Sequence, residues 1–241
     1  MSSMPVAPPP PNQYQPVPRA VLRSPVGLAK AVSILLAVVV VTDMFAVWAD
    51  YQSLDMVNRL ISDFDSVTGQ EIDSVDMRYR LAGIVQSAAL IATGVVFLVW
   101  FHRARVNAEV FAPEYHAKKR GWTIWGWICP VVNLWFPRRI ALDTWNASAD
   151  ENQRGAKLLN WWWALWLMTE FIGWAAGRQY ARATTPEEIQ RALGSVLVTD
   201  ALDIVAAILA ILFVRRLTQM QHEKALRGPS APPFVPNLPA L

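Results

Sequence analysis

The sequence predicts an all-α, polytopic membrane helical bundle, and three observations carry that prediction. Hydrophobic residues make up 54% of the 241-residue chain. They concentrate in four runs, Gly27 to Trp48, Leu81 to Phe101, Leu158 to Gly177 and Ser195 to Val214. Each run is about 20 residues long and so able to cross roughly 30 Å of hydrocarbon as a helix. Between the second and third runs lies GWTIWGWICPVVNLWFP, residues 121 to 137, as oily as the others but interrupted by glycine and proline. The expected architecture is four transmembrane helices plus a tryptophan-rich re-entrant or interfacial segment, with five full spans as the alternative.

Residues 1–24 form a proline-rich tail, with polyproline II character around Pro8 to Pro11. A ligand for a proline-binding protein partner is the functional reading of that tail, and a solvated chain the plainer one. The first apolar run does not read as a cleavable signal: it is long, contains Asp43, and follows a proline-rich stretch instead of a compact basic one. Arg19, Arg23 and Lys30 flank its start. Residues 50–80 hold Asp50, Asp55, Asp63, Asp65, Glu71, Asp73 and Asp76 against Arg59, Arg78 and Arg80. By the positive-inside rule the N-terminus faces the cytoplasm and 50–80 is an acidic outer loop. Within it Leu54, Val57, Leu60, Ile61 and Phe64 recur at helical spacing, and Thr68-Gly-Gln-Glu71 is a capping-box pattern that starts the second helix early.

The second helix runs into Arg103 and Arg105 and is expected to stop near Ala112, because Pro113 follows. The last helix runs into Arg215, Arg216, Lys224 and Arg227 and is closed by Gly228-Pro229, so the membrane domain occupies 25–226 and a second proline-rich tail 227–241. These charges place both termini in the cytoplasm and the protein in the cytoplasmic membrane. Arg138 and Arg139 also belong inside, so 121–137 is expected to enter and leave on one face. A helix of that length covers only about 24 Å, and Trp122, Trp125, Trp127 and Trp135 favour the interface. Pro137 then opens a helix on the inner surface, which extends the re-entrant or interfacial segment to 121–148. Ser148-Ala-Asp-Glu151 offers a capping box for the third helix, and Thr185-Pro-Glu-Glu188 starts the fourth near Pro186.

The spacing of Arg103, Asn107, Pro113, Gly121-Trp122, Gly126-Trp127, Pro130, Asn133, Trp135, Pro137 and Trp145 resembles the signature of the domain-of-unknown-function 4328 family of actinobacterial multi-pass membrane proteins. The resemblance implies a location and a fold. It implies no activity, cofactor or catalytic residue.

Ionisable side chains inside a bilayer cost on the order of 2.5–3.5 kcal/mol each and are functional candidates by default. Asp43, Glu170, Asp200 and Asp203, with Gln86 at a similar depth, form the candidate intramembrane polar or ion site. Proton or cation binding is one reading, and neutral interhelical hydrogen bonding or pairing with Arg80, Arg178 or Arg182 the other. Arg103, Arg105, Lys118, Lys119 and Arg120 form a basic strip suited to anionic lipid headgroups. The single cysteine, Cys129, excludes an internal disulfide, and Asn133 is expected to satisfy backbone groups freed by Pro130. His102, His116 and His222 are too scattered for a metal site. The net charge of +3 is spread over many loops, which argues against nucleic acid.

No nucleophile and base are assembled, so catalysis ranks last. The leading reading is a non-enzymatic interaction or scaffold protein of the membrane. The alternative is a small proton- or cation-linked transporter or channel component using the buried carboxylates, which would need an oligomer to close a pore.

Overall fold

A computed structural model describes residues 21–150 and 155–228. Most of both expected tails, and the Glu151 half of the Ser148 capping box, lie outside the described residues. Within them the chain is α-helical, with α1 (Val26–Ser62), α2 (Gly69–Phe111), α3 (Trp122–Ile128), α4 (Phe136–Ser148), α5 (Lys157–Arg182) and α6 (Pro186–Arg227). Of these, α1, α2 and α6 are long and apolar enough to cross a membrane. They hold 37, 43 and 42 residues, about 55 to 65 Å of helix, so each exceeds the hydrocarbon core. Ile34, Val41, Ile84, Ile91, Val205 and Leu212 are exposed on their outer faces, the apolar surface that a bundle turns toward lipid.

Apart from 63–68 the acidic stretch 50–80 is helical, and the helix that its spacing predicts is a continuation of α1 and not a separate element. No glycine or proline interrupts residues 28–68, so α1 carries its apolar stripe past Asp50 to Ser62, and only Asp63–Thr68 connects it to α2. Met56 and Val57 bury that stripe against Val75 of α2 and Leu193 of α6, while Ile61 and Phe64 stay exposed. The Thr68 hydroxyl accepts from the Glu71 N–H at 3.3 Å. The Glu71 carboxylate pairs instead with Arg59 on α1, so one half of the predicted capping box forms and the other half staples two helices. At α6 the box is complete, with Pro186 at its first turn. The α2 helix ends at Phe111 ahead of Pro113, and Gly228 closes α6 with φ 72°, the positive value that glycine tolerates.

Ser148 lies in the last turn of α4, its hydroxyl donating to the Thr144 carbonyl at 2.7 Å, and α5 starts at Lys157 without a side-chain cap. Around the bundle, α1 packs along both α2 and α6, α5 packs along α6, and α3 and α4 gather at the end of α2 that leads to residue 111. That end is termed the tail end, and the end holding the 63–68 and 183–185 connections the turn end. A large apolar core fills the tail half, with Leu36, Trp100, Trp145, Trp162, Phe213 and Leu217 among its members. A small cluster of Met56, Val57, Val75 and Leu193 closes the turn end. Between them the buried apolar residues are the alanines Ala46, Ala49 and Ala82, with Phe45 packed against them, and the small side chains let α1 and α2 approach closely.

Candidate polar site between the membrane helices

The layer of alanines is also where the acids are. Asp43 and Asp50 are seven residues apart on α1, two turns along one face, and both are buried, 1% and 2% exposed. The Gln86 amide of α2 donates to Asp43 Oδ1 at 3.0 Å and also reaches the carboxyl of Asp200 on α6. Asp200 and Asp50 face one another within hydrogen-bond range. Two carboxyl groups so placed can bond to one another directly only by sharing a proton. Asp203, one turn further along α6, sits beside the Thr169 hydroxyl of α5, which bonds the Trp166 carbonyl at 3.0 Å. Asp43 Oδ2 and Asp50 Oδ2 have no hydrogen-bond partner among the described residues, although a buried polar oxygen without a donor is costly.

Four of the five predicted site residues, Asp43, Gln86, Asp200 and Asp203, therefore converge. Glu170 lies within electrostatic reach of Asp203 but is exposed at the edge of the layer. Asp50 was missed because it was assigned to a loop. The signal that finds it is the seven-residue interval from Asp43 in a stretch without a helix breaker. No ion pair among the described residues involves these acids: Arg80 pairs with Asp76 at 3.9 Å, and Arg178 lies over the Trp174 ring at 4.4 Å. No three of them converge in the manner of a metal centre among the described residues.

The layer is bounded toward the tail end by aromatic rings. α2 and α5 touch through Tyr79–Tyr180 and through Phe97–Trp162, contacts that lie eighteen residues apart on each helix, about 27 Å. Beside the second contact the helices are wedged by Trp127 of α3, edge-on to Phe97 and Phe101 of α2 and to Trp163 and Trp166 of α5 at 5.5 to 6.3 Å. Gly126 sets α3 close against α4, where a Cβ would lie in ordinary contact, 3.4 Å from Phe136 Cβ, and a larger side chain would not fit. The broken tryptophan-rich segment thus works as a plug set between two long helices.

The remaining signature residues build the plug's mounting. Trp122 packs edge-on to Phe136 at 4.9 Å, and Trp145 stacks with Phe213. Asn107 grips the backbone of Arg23, accepting from its N–H at 3.0 Å and donating to its carbonyl at 2.8 Å. Gln221 of α6 ties the same point to the Ala104 carbonyl at 2.8 Å and the Ser148 hydroxyl at 3.1 Å. Pro113 and Pro137 open helical turns. The Asn133 side chain does not serve groups freed by Pro130: its Oδ1 is buried without a partner, and its own N–H bonds the Cys129 carbonyl at 2.9 Å.

The basic strip divides. Arg105 is 2% exposed, paired with Glu109 at 2.6 Å and bonded to the Lys118 carbonyl at 2.9 Å, so it is a core residue and not a headgroup contact. Arg120 pairs with the same Glu109, and Lys118 sits over Phe136 at 4.2 Å. His116, between α2 and α3, is held below the ordinary histidine value by burial and by the Arg105 charge.

Residues 65–219 match the family described as Domain of unknown function (DUF4328). No curated protein and no solved structure matches the chain.

Proposed function

We propose that this chain, which belongs to the DUF4328 family, is a proton-linked multi-pass membrane protein whose acid layer takes up and releases protons. One observation carries this reading: Asp43 and Asp50 are fully buried among further carboxylates, each with an oxygen that has no partner among the described residues. Natural bundles rarely tolerate such a cluster without use for it. A proton needs only two facing oxygens, as at Asp50 and Asp200, whereas a metal ion needs several convergent ligands, so protonation is favoured over metal binding.

The topology that suits this role has α5 as a fourth span, both termini cytoplasmic, and 121–148 dipping in from the cytoplasmic face. The close antiparallel packing of α5 on α6 and the gathering of α3 and α4 beside the basic residues support it.

The test is protein-dependent proton flux in liposomes under an imposed pH gradient, read with an entrapped pH dye. Flux several-fold above empty liposomes is expected, falling at least tenfold in Asp43→Asn/Asp200→Asn. Wild-type flux equal to that of empty liposomes, or undiminished in the double variant, overturns the reading.

A further inference from the structure

We propose that the cleft between α2 and the segment entering α1 binds one anionic phospholipid. The cleft encloses about 600 Å³ and has two chemically distinct parts. Its floor is apolar, formed by Val95, Leu98 and Val99 of α2 with Ile124 of α3, and Val95 and Val99 are exposed on the surface that faces lipid. Its rim is cationic, formed by Arg23, Arg103 and Arg120. Val95 and Arg103 are eight residues apart on one helix, about 12 Å. The floor therefore lies one to two turns deeper in the membrane than the guanidinium groups, matching the separation between an upper acyl chain and its phosphate.

The charge on the rim is available. Glu109 already pairs with Arg120. Arg103 makes one long contact, 3.4 Å to the Ser24 carbonyl, and Arg23 enters no ion pair among the described residues. No carboxylate lines the cleft. The wall bearing Arg23 is fixed in place, because Asn107 holds that residue by both its N–H and its carbonyl. An inorganic anion would leave the floor unused, and a neutral lipid would leave the arginines unused. A molecule with a phosphate, net negative charge and an acyl chain satisfies both parts. The rival occupant is the chain's own residues 1–20, which lead directly to this wall.

The test uses the full chain in nanodiscs of equal phosphatidylglycerol and phosphatidylcholine, followed by native mass spectrometry of the released protein. One phosphatidylglycerol retained in preference to phosphatidylcholine is expected. Arg23→Gln/Arg103→Gln is expected to lower that retention at least fivefold, while Arg23→Lys/Arg103→Lys keeps it and Arg178→Gln at the turn end leaves it unchanged. The lysine pair separates loss of charge from loss of fold. Equal retention of both lipids, or phosphatidylglycerol retention unchanged in the glutamine pair, overturns the proposal. So does displacement of the lipid by millimolar glycerol phosphate, which would mark a headgroup-only site. Retention that appears only after deletion of residues 1–20 assigns the cleft to the tail and likewise overturns it.

Discussion

Gln86 supplies one amide to two acids, Asp43 at 3.0 Å and Asp200 beside it, and this shortage of donors defines the acid layer. Asp50→Asn is therefore expected to stabilise the protein, by about 1 kcal/mol, at a pH where the two carboxyls share no proton, because the new amide donates to the Asp200 carboxylate without one. A rise in melting temperature in detergent checks this, and a fall would place a donor on Asp50 that the present geometry lacks. The reverse holds at Asn107, where alanine leaves the Arg23 N–H and carbonyl unpaired. About 1–3 kcal/mol of destabilisation is expected, read as a lower melting temperature with faster proteolysis at residues 21–25. At this scale the sequence was informative wherever a polar residue interrupted an apolar run, as Asp43, Gln86, Asp200 and Asp203 do. It misled where burial depends on how the chain folds back: Arg105 reads as one more basic residue in a strip until Glu109, one turn on, and the Lys118 carbonyl beyond the helix end close on it.

The element that most resisted reading is the segment 121–148. Proline, glycine and tryptophan announced a broken piece of chain, and α3, the turn after it and α4 bear that out. What periodicity could not convey is the partner of each indole, because Trp127 is placed by contacts with residues up to 39 positions away, ending at Trp166. Trp127→Ala is expected to cost about 3–5 kcal/mol, as for other large aromatic truncations, and to raise the proton leak in liposomes as α2 and α5 lose their wedge. Gly126→Ala should be tolerated, since 3.4 Å to Phe136 is an ordinary contact, whereas Gly126→Val should separate α3 from α4 and reproduce the Trp127→Ala phenotype. The connection bearing His116 has its own pH dependence. Burial and the Arg105 charge keep the folded imidazole neutral, so folding is favoured above the ordinary value of about 6.5 and loses that contribution as pH falls below it. Proteolysis at 112–121 is expected to accelerate from pH 7.5 to 5.5, and less so in His116→Gln.

For the whole molecule, the bundle was legible because lipid imposes long apolar helices, and its acidic hairpin was not, because local charge does not show that α1 continues past Trp48 to pack on Leu193 of α6. The proposed topology has a direct check. In a Cys129→Ser background, cysteines at His116, Asp150 and Ala225 are expected to react with an impermeant reagent from one side, and one at Thr184 only from the other. Positions 116 and 150 on opposite sides would make 121–148 a full crossing. Trp127, Trp163 and Trp166 stand 4.8 to 5.9 Å apart at interplanar angles of 38° to 72°. Indoles so close share their electronic excitation, and the molecule thereby carries a built-in optical ruler. Its near-ultraviolet circular dichroism couplet will report in real time, without any attached dye, whether the wedge is seated.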